Sequence, residues 1–170
     1  MRKIELVSYC DSWPIEYETE VKLLKELIKS NFIRALHIGS TAIVGIKAKP
    51  VIDILIEVEY LSKLDREKES FEKMGYQVKG EHGIENRRFF QKGIDERTHH
   101  IHVFETGSAE IERHRLFVAF MNSHPNKARE YQTLKETLCS RFGENPESYT
   151  EGKSSYIKNI DSEAYLWKHS

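Results

Sequence analysis

The chain has 170 residues, enough for one domain with a substantial core, and its 39% hydrophobic and 31% charged residues describe a soluble, well-patterned polypeptide. With 26 Lys and Arg against 27 Asp and Glu, the formal net charge of -1 gives no global electrostatic case for nucleic acid or a membrane surface as partner. No apolar run approaches the roughly 18 residues of a membrane helix, no apolar core follows the first basic residues as in a signal peptide, and two distant cysteines, Cys10 and Cys139, suit reduced thiols in the cytoplasm.

Residues 14–30 read as a helix, with Pro14 suited to its first turn and Tyr17, Val21, Leu24 and Ile28 at helical spacing. Residues 34–38 form a short strand, a glycine loop follows, and 51–58 form the next strand. A helix is expected over 61–74, with Leu61, Leu64, Phe71 and Met74 inward and Gly75 as its stop. Strands are expected at 76–80, 87–92 and 98–105. After Gly107 the pattern turns helical: Ile111, Val118 and Met121 line one helix, Ala128, Tyr131, Leu134 and Leu138 a second with Pro125 near its start, and 154–167 form a last one. This order implies an α/β chain of the α+β kind, a mixed β-sheet flanked by helices, not a doubly wound parallel sheet. One domain over 1–170 is expected, with an α/β core at 1–106 and a helical extension at 107–170.

The segment 37–58 carries the most chemistry. Gly39 lacks a Cβ, so φ can go positive and a ligand can approach the backbone. The amides beyond it and the Ser40 and Thr41 hydroxyls can form an anion-binding concavity, to which Lys47 and Lys49 add charge. Pro50 fixes φ ahead of the next strand. Side chains alternate along that strand, so Asp53, Leu55 and Glu57 share one face, and an acidic residue in so apolar a run needs a partner.

These residues resemble the GrpB family, which carries a His-(Val/Ile)-Gly-Ser-Thr turn followed by Ala-Lys-Pro and an Ile-Asp pair. Trp13-Pro14, Arg88-Phe89-Phe90, His100-Ile101-His102-Val103, His124-Pro125, Tyr131, Leu134-Lys135 and Tyr149-Thr150-Glu151 with Lys153-Ser154 extend the resemblance over most of the chain. That family is similar in fold to the nucleotidyltransferases, in which a Gly-Ser turn binds nucleotide phosphates and strand carboxylates hold divalent metal. The resemblance implies that Asp53 is catalytic and a metal ligand. It implies that Gly39, Ser40, Thr41, Lys49, Arg88 and Lys153 bind phosphate or nucleotide, with magnesium or manganese as cofactor. One departure stands out. The position two residues after Asp53, acidic in metal-dependent nucleotidyltransferases, is Leu55; Glu57 lies a further 7 Å or so along the strand.

His100 and His102, two apart on one strand face, can converge on one metal or one phosphate. With Asp53 they would favour manganese or zinc over magnesium. His37, just before the glycine turn, either contacts the ligand or packs in the core. Of the adjacent Arg87 and Arg88, one is expected to point at the site, where a guanidinium matches phosphate geometry. Three functions follow: nucleotidyl transfer to an unknown acceptor; a module that binds a nucleotide or another phosphorylated ligand without catalysis; and a histidine-based phosphoesterase. The last is weakened because the third residue of a histidine triad would fall at Phe104.

Overall fold

The computed structural model describes residues 3–170. The chain forms two compact units. A sheet unit comprises residues 10–38 and 51–112, and a helical unit comprises 3–9, 39–50 and 113–170.

The sheet unit opens with α1 (Ser12–Ile28), followed by β1 (Phe32–Ile38), β2 (Ile52–Val58), the short helices α2 (Leu61–Asp65) and α3 (Lys68–Lys73), and then β3 (Tyr76–Val78), β4 (Arg87–Lys92) and β5 (His99–Glu105). The single helix expected over 61–74 is two. Between them Arg66 and Glu67 donate to Lys63 and Leu64, three residues back, which tightens the chain out of α geometry. The strands form one sheet in the order β1-β2-β5-β4-β3. β2 and β5 run parallel and every other neighbouring pair is antiparallel, so the sheet is mixed, as the element order implies.

Register sorts the side chains onto two faces. On one, Ile52, Ile54, Ile56 and Val58 of β2 lie beside Ile101 and Val103 of β5, all fully buried, because apolar residues alternate along both central strands. Helix α1 contacts β1 and β2. Phe71 of α3 stacks on Phe90 of β4 with ring centroids 4.1 Å apart. A buried carboxylate ties this layer together: Glu20 of α1 accepts from Lys92 Nζ at 2.7 Å and from the Tyr76 hydroxyl. On the opposite face, Ile38, Leu55 and Phe104 pack with Ile111.

The helical unit is built from α4 (Ala109–Ser123), whose first four residues count with the sheet unit, α5 (Pro125–Phe142) and α6 (Pro146–His169). Ile43, Ile46, Phe117, Phe120, Met121, Tyr131 and Ile160 are among its core residues. Helix α6 starts eight residues before the expected 154. Pro146 occupies its first turn, and the Asn145 side chain accepts from the Ser148 amide at 3.1 Å, capping the N-terminus. Gly152 then lies inside the helix, where a Cβ would come 2.4 Å from Leu138 Cδ2; its small size lets α6 pack close to α5. Residues 39–50 belong with these helices. Asn122 accepts from the Val44 amide at 2.9 Å and donates to the Ala42 carbonyl at 3.0 Å, and Gln132 accepts from the Lys47 amide at 2.8 Å. Among the described residues no helix is long and apolar enough to cross a membrane.

Candidate functional site

In the sheet unit, register brings one group of polar side chains onto one face. Asp53 pairs with His100 and Leu55 with His102 across β2 and β5; Gln91 pairs with His100 and Phe89 with His102 across β4 and β5. Asp53 Oδ1 lies 3.2 Å from His102 Nε2 and 3.5 Å from His100 Nδ1. Phe89 sits edge-on to His100 and tilted to His102, with centroids 5.4 and 5.1 Å away, and His82 stacks on its ring at 5.1 Å.

Arg87 of β4 sets the polarity of this group. It is only 6% exposed, and it holds the 79–86 loop by donating to the carbonyls of Glu81 and His82 at 3.2 and 2.8 Å. Its Nη1 lies 3.3 Å from His102 Nδ1. A guanidinium only donates, so Nδ1 is the acceptor and His102 carries its hydrogen on Nε2, aimed at Asp53. Burial acts to raise the Asp53 pKa, but hydrogen bonds from His100 and His102 outweigh it and hold the carboxyl well below the usual range. With His100 Nδ1 towards Asp53, its Nε2 is buried without a hydrogen-bond partner, as is Gln91 Oε1 on the neighbouring strand.

The two positions that follow Asp53 on its strand face offer no carboxylate to a ligand. Leu55 is fully buried in the apolar cluster, and Glu57 accepts from Arg34 Nε at 2.6 Å and from the Thr106 hydroxyl at 2.7 Å. The metal set expected at Asp53, His100 and His102 does not fit this donor chemistry. A metal on His102 Nε2 needs the ring hydrogen on Nδ1, where it would meet the donors of Arg87. Among the described residues no group of three or more His, Cys, Asp and Glu is arranged to hold a metal ion.

Two other expected residues lie on the opposite sheet face. His37 pairs with Ile54, not with Asp53, and its ring stacks on Tyr17 of α1 at 4.9 Å; burial pushes its pKa down to about 4. Arg88 makes a two-pronged ion pair with Asp65 of α2 at 2.7 and 3.0 Å. The arginine on the Asp53 face is therefore Arg87, one position earlier. The period of two along β4 is legible in the sequence, but which of its faces matches Asp53 depends on the register with β5.

The remaining expected residues belong to the helical unit. Gly39 has φ +71°, and Ser40–Ala42 form a single 3₁₀ turn. The Ala42 and Ile43 amides close that turn onto the Gly39 and Ser40 carbonyls at 3.2 and 3.1 Å, so these two do not point at an anion. Lys49 and Lys153 Nζ lie 5.4 and 4.6 Å from the ring centroid of the buried Tyr149. Between these residues in sequence, Lys135 of α5 is 1% exposed, with its ammonium 4.9 Å from the Tyr131 ring and donating to the Lys47 carbonyl. Burial, then the charges of Lys153 and Lys49, push its pKa down to about 7.

A mixed five-stranded sheet bearing one carboxylate between two histidines, with a helical C-terminal unit, is an α+β architecture of the kind the element order implies. The comparisons carry the assignment further: residues 3–163 match the GrpB protein family, and the chain belongs to it. It is 41% identical over 167 residues to the UPF0157 protein YqkA of Bacillus subtilis, covering 98% of this chain and 49% of that one. It is 31% identical to the glutamate-rich protein GrpB of Alkalihalophilus pseudofirmus, covering 95% of each. The crystal structure of conserved protein GrpB from Enterococcus faecalis superposes with a TM-score of 0.93 at 35% identity, covering 98% of this chain and 100% of that one. The chain thus spans about half the length of the Bacillus relative.

Proposed function

We propose that the protein is a nucleotidyltransferase-like module that binds a nucleotide or another phosphorylated small molecule at the Asp53 face without two-metal nucleotidyl transfer. The observation that carries this reading is the fate of the second carboxylate position. Leu55 is sealed among Ile38, Phe104 and Ile111, and Glu57 is spent on Arg34 and Thr106. Two-metal chemistry needs several carboxylates converging on the ions. The Arg87 guanidinium beside one carboxylate and two imidazoles suits hydrogen bonding to a phosphate ester better, since Glu81, His82 and His102 engage three of its five hydrogens, with the exposed His82 ring offering a flat surface to a base.

A second reading rests on the orientation of His100. With Nδ1 directed at Asp53, Nε2 holds a lone pair in the manner of a general base, which supports a metal-independent phosphoesterase. One panel separates these readings. Nucleoside mono-, di- and triphosphates are added with chelator or with manganese, to wild type and to His102→Gln, while unfolding temperature and phosphate release are followed. Binding is expected to persist in chelator and to weaken in His102→Gln; a ligand at one hundred times its dissociation constant adds about 2.7 kcal/mol of stability. Phosphate release in chelator would select the esterase. Manganese-dependent turnover lost in Asp53→Asn, or no response to any nucleotide, would overturn the proposal.

A further inference from the structure

Register lines up one polar row across the sheet. Asp53 of β2 lies beside His100 of β5, His100 beside Gln91 of β4, and Gln91 beside Gln77 of β3. Asp53, His100 and Gln91 therefore share the face that carries Arg87 and Phe89, because side chains alternate along each strand. Two atoms of this row are left unanswered by the fold. Gln91 is 3% exposed, yet its amide oxygen Oε1 is buried without a hydrogen-bond partner, and so is His100 Nε2. An aliphatic residue at position 91 would avoid that penalty, since a buried polar atom left unpaired destabilises the fold.

Both atoms accept hydrogen bonds. An amide oxygen carries only lone pairs. His100 directs Nδ1 at the Asp53 carboxylate 3.5 Å away, which takes its hydrogen and leaves a lone pair on Nε2. Directly opposed residues on neighbouring strands have Cβ atoms about 4.5–5.5 Å apart, so one donor group between these two side chains can serve both acceptors. The face opens to solvent beside them, with 27% of the Asp53 side chain and 20% of the His100 side chain exposed.

We propose that Gln91 and His100 select a nucleotide whose base carries an amino group beside an unprotonated ring nitrogen, as adenine and cytosine do. The inference rests on the reading of the Asp53 face as a nucleotide-binding site. An aromatic amine has two hydrogens and gives one to each acceptor. The Gln91 amide NH2 donates to the neighbouring ring nitrogen, the two-pronged pairing that a glutamine makes with adenine. A keto base turns an oxygen towards the same acceptors, so they stay unpaired and their lone pairs repel it. Phe89 lies between Arg87 and Gln91 on β4, edge-on to His100 and stacked by His82. Arg87 and Gln91 are four residues apart, about 13 Å of strand, a span that a sugar and a base fill when the phosphate sits at the guanidinium.

Two pairs of 5′-monophosphates, adenosine against inosine and cytidine against uridine, are titrated calorimetrically in chelator into the whole chain, wild type and Gln91→Met. Wild type is expected to bind the amino member of each pair about tenfold or more tightly. Gln91→Met keeps the volume and removes both polar atoms, so each ratio is expected to fall close to one while the affinities for inosine and uridine monophosphate hold. Should the variant fail to fold, the two wild-type ratios decide the matter. A variant that weakens all four ligands together with the ratios intact assigns Gln91 a supporting role and overturns the inference. Equal affinities within each pair in wild type, or a preference for the keto member, overturn it and leave nucleotide binding standing; the amide and the imidazole are then answered by a shared water. No binding of any of the four overturns the inference together with the reading beneath it.

Discussion

A buried lysine with a depressed pKa makes stability rise with pH in the alkaline range, as the lowered Asp53 pKa does in the acid range. Lys135 has its pKa pushed down to about 7 in the folded chain by burial and then by its lysine neighbours, against 10.5 ordinarily. Between those values the unfolded chain holds a proton that the folded chain does not, so stability rises with pH there, by at most about 1.4 kcal/mol per unit. Below pH 7 both states are protonated and the full cost of the buried charge is present. Urea unfolding of wild type and Lys135→Met across pH 6.5–9.5 is expected to show wild type gaining on the variant steadily above about pH 7. Parallel curves would show that Lys135 is charged at no cost. The sequence held the signal for this residue: positions 128, 131, 135 and 138 repeat at helical spacing, and a lysine occupies a place the stripe reserves for apolar groups. A lysine on a helix is so often solvated that the stripe alone did not single it out. Arg87 escaped differently. Alternation says that Arg87 and Arg88 point to opposite faces, and only the pairing of Arg87 with Phe104 and of Phe89 with His102 shows which face belongs to Asp53.

The elements follow their local rules closely, and their limits are set by side chains that do not belong to the periodic pattern. Helix α6 is the clearest instance. The apolar pattern starts late, but the cap at Asn145 and the proline after it start the helix at Pro146. Replacing Asn145 with alanine removes the acceptor for the Ser148 amide and is expected to cost about 1 kcal/mol, read as a lower urea midpoint with an unchanged slope. A change below a few tenths would mean that water replaces the cap. The split between α2 and α3 lacked any comparable sign, since neither glycine nor proline marks residues 66–67 and only the three-residue hydrogen bonds reveal it. For the glycine loop, the sequence indicated the positive φ at Gly39 correctly. It did not indicate that Asn122 and Gln132, some 80 residues on, hold the segment against the helices, because contacts at that separation leave no periodic trace.

At the scale of the molecule, the order of elements sufficed for a mixed sheet with helices, while the strand order did not follow from it. The centre of the sheet is the parallel pair β2 and β5, joined by a long crossover, with β1 on one side and β4 on the other. Both strands have neighbours on each edge and bury apolar side chains, so their amides depend on the largest openings of the unit. Native-state hydrogen exchange is expected to be slowest at residues 53–57 and 100–104 and much faster at β3, the three-residue edge strand. Equal protection at β3 would contradict the sheet order. Asp53, His100 and His102 thus sit on the most firmly paired strands, where rigid backbone can hold interacting groups to within tenths of an ångström.

The sealed leucine beside Asp53 also bears on the history open to this fold. Installing an acid at position 55 would bring the strand to the familiar two-carboxylate spelling in one step, yet it would plant an ionised group among Ile38, Phe104 and Ile111 with nothing to solvate it, at a penalty of several kcal/mol. A chain carrying Leu55 does not gain metal chemistry through that single change: the hydrophobic neighbours would have to retreat first, and each retreat would loosen the sheet before any new activity repaid it.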